Sequence, residues 1–334
     1  MHRPIRFWIL RGFVVILAIV ALLLLALLGM ALWPLSNEEL VLNTTPISEY
    51  TVAREAIADM REDAPEGIRP ECRGSILDHG RRTEEVYVLM HGLTNCPAQF
   101  IQFAQLLFDD GANVLIPRTP YHGFMEEYAD DQQLLTGQDI LDAANQAIDA
   151  AHAYGDRVTV IGLSVNGATC AWLAQNRADI DRLVAIAPFL APYGIDAKWI
   201  EPIGRLVYRL PNSLIWWDRQ LKDQLERPSY AYPKFATHPI AHVMRIGLDA
   251  FDSAEEKPPV AKKILMVTSA SDTAINNDRV DELTALWKTS APDRVTSYEF
   301  PAEQKVPHDS IDPNQPNQQI AIVYPKLIEL MEAM

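Results

Sequence analysis

The sequence lacks nucleotide-binding motifs and is poor in cysteine. No G-x-G-x-x-G follows a predicted strand and no G-x-x-x-x-G-K-[ST] occurs, so neither a dinucleotide nor a nucleoside triphosphate site is predicted. The three cysteines, Cys72, Cys96 and Cys170, allow at most one disulfide, which excludes a scaffold built on several bridges. No cofactor is predicted.

Positive charge is also scarce. The 334 residues include 29 Lys and Arg against 44 Asp and Glu, a formal net charge of -15. Without Arg3, Arg6 and Arg11, which precede a long apolar stretch, 26 basic residues remain against 44 acidic ones, a charge of -18 for the rest of the chain. Nucleic acid is therefore excluded as a partner, because its phosphates require a basic surface.

Charge is absent altogether from residues 12–36, which are mostly Leu, Val, Ile and Ala. About 20 apolar residues in a helix cross the roughly 30 Å hydrocarbon core of a bilayer. Trp8 and Trp33 stand where interfacial aromatic residues are expected. Residues 1–36 are therefore predicted to be a basic flank followed by a transmembrane anchor.

The charges beside this segment predict its orientation. Arg3, Arg6 and Arg11 precede the apolar stretch, whereas Glu38 and Glu39 follow it. By the positive-inside tendency, the N-terminus is cytoplasmic and the remaining chain is extracytoplasmic, either periplasmic or extracellular.

A cleaved signal peptide is the alternative to an anchor. Gly29 and Ala31 fit the small residues of a cleavage site. The apolar stretch is longer than the roughly 7–15 residues of a signal-peptide core, which favours a retained anchor.

The chain after the anchor alternates between strand and helix patterns. Residues 37–71 form a connector with an amphipathic helix over 47–63, ended by Pro65 and Gly67. The domain over 72–334 has buried-strand patterns at 85–90, 113–117, 157–163, 182–188, 263–270 and 294–300. Helix patterns lie near 97–110, 137–154, 165–178, 278–290 and 318–333. The predicted class is α/β, with a mostly parallel sheet between helices.

One interval, about 189–258, breaks this alternation. It is rich in Pro, Tyr and Trp and is too long for a crossover connection. We expect a mostly helical cap above the carboxyl ends of the strands, where α/β sheets place their sites. Additional packing without a role in substrate selection is the alternative.

Ser164 lies between a strand that ends at Leu163 and a helix that begins at Val165. This strand-turn-helix context is typical of a nucleophile elbow. Gly162 fits the crowded position two residues before the serine, but Asn166 occupies the position two residues after it, so the motif is G-x-S-x-N. A serine that only caps the helix is the alternative.

A second loop follows the strand VYVLM and begins with His91 and Gly92. A loop in this place can direct a backbone N–H towards an oxyanion. The N–H groups of Leu93 and Val165 are the predicted oxyanion donors. His91 is predicted to be structural, bound to local backbone.

A serine hydroxyl needs an imidazole base, and the imidazole needs a carboxylate partner. Asp272 and His308 each lie in a loop after a predicted strand, in the chain order Ser, acid, His. Among the eight histidines, His308 alone combines this placement with a late position. Asp278 is the alternative acid, although capping of the next helix suits it better, and a surface role beside Asp309 is the alternative for His308.

Together GLSVNG, HGLTN, PYHGF at 120–124, SASDTAIN and VPHDS resemble the α/β-hydrolase family, especially its monoacylglycerol-lipase and carboxylesterase-like branch, with its serine aminopeptidase-like members. The likeness covers residues 72–333. It implies an eight-stranded sheet, a small cap after the sixth strand, and hydrolysis of carboxylic esters without a cofactor. Asn166 replaces the glycine that is usual in this family.

Other side-chain pairs suggest weaker alternatives. His238 and His242 are spaced for one helix face, but no further ligand has the spacing of a zinc site, so no metal is predicted. His122 is expected to be a loop residue near the acyl pocket. Cys96 and Cys170 suit small apolar packing positions better than a catalytic thiol.

The sequence therefore predicts a membrane-anchored serine hydrolase. Ser164 would attack an ester carbonyl and form an acyl-enzyme, and the aromatic cap favours apolar acyl or lipid esters. A thioesterase, amidase or aminopeptidase with the same triad is one alternative. A binding protein that has the fold without the activity is the other.

Overall fold

The computed structural model describes residues 5–33, 39–62, 66–126 and 130–334. The strands in these residues are β1 (Ser75–Leu77), β2 (Thr83–Met90), β3 (Asn113–Ile116), β4 (Gly155–Leu163), β5 (Arg182–Ile186), β6 (Leu214–Trp216), β7 (Lys234–Ala236), β8 (Lys263–Ser269) and β9 (Val295–Phe300). The α-helices are α1 (Ile5–Leu32), α2 (Tyr50–Glu62), α3 (Ile101–Asp109), α4 (Gly137–Tyr154), α5 (Val165–Asn176), α6 (Ala197–Arg209), α7 (Thr237–Glu256), α8 (Asn277–Ser290) and α9 (Ile320–Glu332).

A seven-stranded sheet with the order β1-β3-β2-β4-β5-β8-β9 forms the centre of the domain. All its strands are parallel except β1, which pairs antiparallel with β3. The apolar stretch from Val158 to Leu163 is buried along its whole length because helices cover both faces of the sheet. The predicted α/β class is confirmed, and each predicted strand is matched to within two residues at either end.

The edge of the sheet differs from the expectation. The resemblance implied eight strands, which is wrong for the described residues, where the sheet has seven. Before β1, Pro70–Cys72 form a 3-10 turn, and a disulfide joins Cys72 to Cys96. This bond joins the segment to the loop that follows β2.

Helices pack on both faces of the sheet. In one layer α5 lies against α4 and α7, and its residues from Val165 to Gln175 are all buried. Elsewhere α3 and α9 meet where the rings of Phe103 and Tyr324 are 5.0 Å apart. Because α5 is enclosed on all sides, the backbone that follows Ser164 is fixed by packing.

The interval 189–258 divides into two parts. Its first part contains α6 and an antiparallel hairpin of β6 and β7, a short pair that the sequence pattern did not reveal. Its second part is α7, which packs against α5 in the helical layer of the domain. Residues 217–232, between the two hairpin strands, line a cleft with Ser164. The part that covers the strand ends is therefore the one that includes the hairpin.

Helix α1 contains the predicted anchor. Its segment Trp8–Leu32 has a mean hydropathy of 3.2 and is long and apolar enough to cross a membrane, by length and composition. The C-terminal end of α1 contacts α6, where Arg205 donates a hydrogen bond to the Leu32 carbonyl at 3.2 Å. Two of the flanking charges used to predict its orientation, Arg3 and Glu38, lie outside the described residues.

The connector helix is α2, inside the predicted range 47–63. It packs on α4, where the rings of Tyr50 and Tyr154 meet edge to face at 5.1 Å. The backbone N–H of Ile47 donates to the Asp149 carbonyl, also in α4. The connector is therefore attached to the outer surface of the helical layer.

Candidate active site

Ser164 occupies a sharp turn between β4 and α5. Its backbone has φ 58° and ψ −110°, in the left-handed region that non-glycine residues rarely adopt. Its N–H donates to the Ile186 carbonyl at 2.9 Å, and its own carbonyl accepts from Phe189 N–H at 2.9 Å. The neighbouring strand end thus holds the turn in place and directs the hydroxyl into the cleft.

Two glycines make room for this turn. A Cβ on Gly162 would lie 2.1 Å from the Asn166 carbonyl oxygen, and one on Gly167 would lie 2.7 Å from the Pro188 Cα. A side chain at either position would therefore collide with backbone. Asn166 occupies the position where the family that the sequence resembles usually has glycine, and glycine occurs one residue later in this chain.

The structure brings Ser164, His308 and Asp272 together. The Ser164 Oγ lies 2.9 Å from His308 Nε2, and His308 Nδ1 lies 2.7 Å from Asp272 Oδ2. With the ring proton on Nδ1, the imidazole donates to the carboxylate and accepts from the serine hydroxyl. The three residues follow β4, β8 and β9, as the sequence predicts.

Asp272 is positioned by its own loop. Its side chain is fully buried, and Oδ1 accepts the N–H of Ala274 at 2.7 Å and that of Ile275 at 3.4 Å. These bonds occupy one carboxylate oxygen and leave the other for His308. The alternative acid, Asp278, lies in the first turn of α8, whose N-cap is Asn276 rather than Asp278.

The pKa of His308 is raised above its usual value. Burial lowers it, but the hydrogen bond that His308 donates to Asp272 and the negative charges of Asp272 and Asp309 together outweigh that effect. The His308 side chain remains 27% exposed, so substrate and water can reach it. An imidazole in this setting gains a proton readily when the serine hydroxyl is deprotonated.

Leu93 and Val165, the predicted oxyanion donors, both line the cleft beside Ser164. Val165 is the first residue of α5, so its N–H has no acceptor within the helix, and the helix dipole favours an anion there. The loop of Leu93 lies close to the nucleophile, since a Cβ on Gly92 would be 3.6 Å from the Ser164 Cβ.

The cleft has a volume of about 840 Å³, and apolar atoms form most of its lining surface, although the charged residues Asp218, Glu226 and Arg227 also line it. Strand ends and the loops after them supply one wall, which includes Leu163 and Pro307, and the segment between β6 and β7 supplies another. This wall includes Trp217, Leu221 and Leu225. The arrangement can hold an apolar group with its reacting atom above Ser164.

Among the solved structures that share this architecture are three lipolytic enzymes. One, described with the metagenome-derived lipolytic enzymes LipS and LipT, has a TM-score of 0.60 at 17% identity and covers 80% of this chain and 100% of that chain. The monoglyceride lipase of Saccharomyces cerevisiae, solved as a soluble variant with a substrate analogue, has a TM-score of 0.60 at 11% identity and covers 78% and 90%. The monoacylglycerol lipase of Paleococcus ferrophilus has a TM-score of 0.58 at 16% identity and covers 78% and 98%. The chain has the α/β-hydrolase fold.

No protein-family model matches the chain, and no curated protein matches it. At identities of 11% to 17%, the three solved structures establish the hydrolase fold and nothing finer. Assignment of chemistry to this hydrolase fold depends on the geometry of its own side chains.

His91 and His122, the two early loop histidines, are buried away from the reacting atoms. Burial lowers the pKa of His91 to about 3 and that of His122 to about 4. His91 binds the backbone of Gly92 and Thr119, which confirms its predicted structural part. His122 packs between His91 and Tyr232, and because Tyr232 lines the cleft, His122 is a loop residue one side chain away from it.

The cysteines differ in state. Cys96 was expected to be a small packing residue, but it forms a disulfide with Cys72, and the two Cα atoms are 5.1 Å apart. Cys170 is free and buried in α5, where burial raises the pKa of its thiol. A buried thiol that stays protonated is a poor nucleophile.

The two spaced histidines pack on an aromatic ring. His238 Nε2 donates a hydrogen bond to the Leu210 carbonyl at 2.8 Å, and both His238 and His242 contact the ring of Tyr208. Within the described residues, no group of three or more His, Cys, Asp or Glu side chains is arranged to hold a metal ion.

Asp309 is a residue of the site to which the sequence pattern assigned no function; in the sequence it was only the neighbour of His308. Its carboxylate accepts hydrogen bonds from Asn95 at 3.0 Å, Gln99 at 2.7 Å and Gln315 at 2.5 Å. Burial and the nearby Asp312 carboxylate raise the pKa of Asp309 to about 6. The loop of His308 is thus joined to the loop of Leu93. No pattern in the sequence signals amide partners more than 200 residues away.

We expect Gly162→Ala to lower the free energy of unfolding by about 3 kcal/mol or more, because the added Cβ meets backbone that cannot move without displacing Ser164. Gly204→Ala is the matched control, since the nearest atom to its Cβ is 3.7 Å away. Within helix α6 this change should be neutral or stabilising by about 0.5–1 kcal/mol. Urea unfolding of the full chain in mild detergent measures both changes, and equal midpoints for the two variants would contradict the expected collision at Gly162.

Proposed function

We propose that this chain is a membrane-anchored serine hydrolase that cleaves carboxylic esters through an acyl-enzyme formed on Ser164. The observation that supports this most strongly is the hydrogen-bonded chain from Ser164 through His308 to Asp272, which opens on a largely apolar cleft. A buried carboxylate hydrogen-bonded to an accessible imidazole, which is in turn hydrogen-bonded to a strained serine, is the arrangement that nucleophilic catalysis requires.

In the acylation step, the Ser164 Oγ bonds to the ester carbon while His308 Nε2 takes the hydroxyl proton. The carbonyl oxygen becomes an anion, which the N–H groups of Leu93 and Val165 stabilise. Asp272 stabilises the imidazolium that forms. His308 then gives its proton to the departing alcohol as the carbon–oxygen bond breaks. In the deacylation step, His308 takes a proton from a water molecule, whose oxygen bonds to the acyl carbon. The bond between this carbon and the Ser164 Oγ then breaks, and His308 returns the proton to the Oγ as the acid leaves.

The lining of the cleft supports an apolar acyl group as substrate. Phe189, Trp217, Leu221, Leu225 and Ile240 line it and offer an acyl chain an apolar surface, while the charged residues Asp218, Glu226 and Arg227 line the same cleft. The solved relatives named as monoglyceride or monoacylglycerol lipases act on lipid esters by name, which agrees with this assignment. Thioesters and amides would use the same triad, so the leaving group is a matter for measurement.

A fluorophosphonate probe should label the full chain in mild detergent, and p-nitrophenyl esters should be hydrolysed with a preference for acyl chains longer than acetyl. Ser164→Ala should abolish labelling and lower kcat by at least about 10³-fold, because the nucleophile is lost. Matched thioester and amide substrates measure the leaving-group preference.

Ser290→Ala is the control, because this serine lies at the end of α8 and bonds only within that helix. It should label and turn over like the wild type. A folded wild-type protein that neither labels nor hydrolyses any of these substrates would favour the binding-protein alternative.

The pH dependence of kcat/KM should depend on His308. Its neutral form is the base, so activity is low in acid and rises as pH increases through its pKa, which lies above the usual value of about 6.5. Asp272→Asn removes the negative charge of Asp272 and leaves at most a weaker hydrogen bond between neutral groups, so two of the causes that raise this pKa are lost or reduced, while burial still lowers it and Asp309 is unchanged. The acid limb should therefore move to lower pH, and kcat should fall by about 10³–10⁴-fold.

Asp278→Asn is the matched control for the acid. It should leave both the acid limb and kcat unchanged, since Asp278 lies in the first turn of α8. An acid limb that stays in place in Asp272→Asn would remove Asp272 from the proposed triad.

We further propose that α1 spans a membrane and that the hydrolase domain is extracytoplasmic. The basic residues before the apolar stretch support this orientation. The disulfide between Cys72 and Cys96 supports it independently, because disulfides persist in oxidising compartments. Neither argument uses the other.

Alkaline phosphatase fused after Met334 should be active in a bacterial host, whereas a fused green fluorescent protein should be dark, because only the former folds well outside the cytoplasm. Replacement of Arg3, Arg6 and Arg11 by Ser should lower phosphatase activity by weakening the orientation signal. Inactive phosphatase with bright fluorescence in the unaltered chain would reverse the proposed orientation. Extraction by detergent but not by alkaline carbonate would show that the anchor is retained.

A further inference from the structure

Asn166, the residue that replaces the usual elbow glycine, connects two loops of the site. Its side chain is buried, and its Nδ2 donates to the His91 carbonyl at 2.6 Å and to Thr119 Oγ1 at 3.3 Å. His91 precedes the loop of Leu93, whereas Asn166 follows Val165 in α5. One amide group therefore joins the helix that contains one predicted oxyanion donor to the loop that contains the other.

The peptide between His91 and Gly92 is held at both ends. Asn166 binds its carbonyl oxygen, and its N–H donates to Gln99 Oε1 at 2.8 Å. The oxygen and the hydrogen of a trans peptide point in opposite directions, so two such bonds fix the plane of the peptide. Gln99 is in turn bound by Asp309, beside the base.

The next peptide, between Gly92 and Leu93, provides the oxyanion donor. The Gly92 carbonyl lies 2.9 Å from His91 Nδ1, while His91 Nε2 accepts the N–H of Thr119 at 3.0 Å. His91 must therefore be neutral with its proton on Nδ1, which agrees with the lowered pKa of this buried ring. Because the Gly92 oxygen is fixed, the Leu93 N–H on the opposite side of the peptide is fixed as well.

We propose that Asn166 is a positioning residue of the oxyanion hole, which sets the Leu93 N–H relative to the Val165 N–H. This inference rests on the proposed function. Donors that are already oriented before reaction stabilise the developing oxyanion without further rearrangement. A glycine at 166 has no side chain to reach His91, so chains with the usual elbow must hold this loop by other contacts.

The test compares Asn166→Asp and Asn166→Gly with the wild-type full chain in detergent. Asn166→Asp keeps the size of the side chain but removes the donor to the His91 carbonyl. Asn166→Gly removes the side chain and needs no buried charge, so it serves if the aspartate variant does not fold. The control is Asn176→Ala, in the same helix, whose side chain donates only to the Trp172 carbonyl.

In both Asn166 variants, kcat for the hydrolysis of p-nitrophenyl butyrate should be about 10- to 100-fold lower than in the wild type, while KM changes less than about twofold. This is the effect expected when a reacting group is displaced. An alkylboronic acid, which forms a tetrahedral adduct with the Ser164 Oγ, should bind more weakly by a similar factor. An ether analogue of the same chain length, which forms no adduct, should bind equally well to all variants.

Unchanged kcat and boronic acid affinity in both Asn166 variants would overturn the proposal even if their thermal midpoints fall, because the residue would then be structural only. Equal loss of affinity for the ether and the boronic acid would also overturn it, since it would indicate a substrate contact. An inactive wild type that is not labelled by fluorophosphonate would instead refute the proposed function itself, so the two failures are distinguishable.

Discussion

The site depends on one constraint, the reversal of the chain from β4 into α5 at a single residue. Ser164 takes a positive φ there, a conformation that costs of the order of 1–3 kcal/mol for a residue with a side chain. The cost is offset because the backbone of Ser164 bonds to the end of β5 and because α5 is buried between the sheet and its neighbouring helices. Gly162 and Gly167 remove the side chains that would prevent this approach.

With the nucleophile fixed, the sheet order determines where its partners lie. The carboxyl ends of parallel strands lie at the same end of the sheet. The loops after β4, β8 and β9 therefore converge there, although they are far apart in the chain. Asp309 then joins the base loop to Asn95 and Gln99 in the first loop. Base, nucleophile and predicted oxyanion donors therefore belong to one hydrogen-bonded assembly, and a disturbance in one loop reaches the others.

The sequence revealed those parts that depend on local pattern. Five of the six parallel strands contain buried apolar runs and could be located by them, and the order Ser164, Asp272, His308 followed from the strand ends. The sixth, β9, was expected to be buried as well, but it is an edge strand in which only Val295 and Phe300 are buried. The short β1, β6 and β7 have three residues each, too few for a periodic signal. The partners of Asn166, the amides around Asp309 and the pairing of Cys72 with Cys96 all arise from tertiary packing. Sequence spacing contains no information on those contacts.

The contact between α1 and α6 bears on how the cleft meets its substrate. The last carbonyls of a helix lack partners within it, and Arg205 and Arg209 bind those of Leu32 and Met30, where the helix dipole also favours positive charge. α6 belongs to the part of the chain that covers the strand ends. If α1 spans a bilayer, as proposed, this contact holds the cap near the membrane surface instead of leaving the domain on a free tether. An apolar ester could then pass from the bilayer to Ser164 over a short distance, with little exposure of its acyl chain to water.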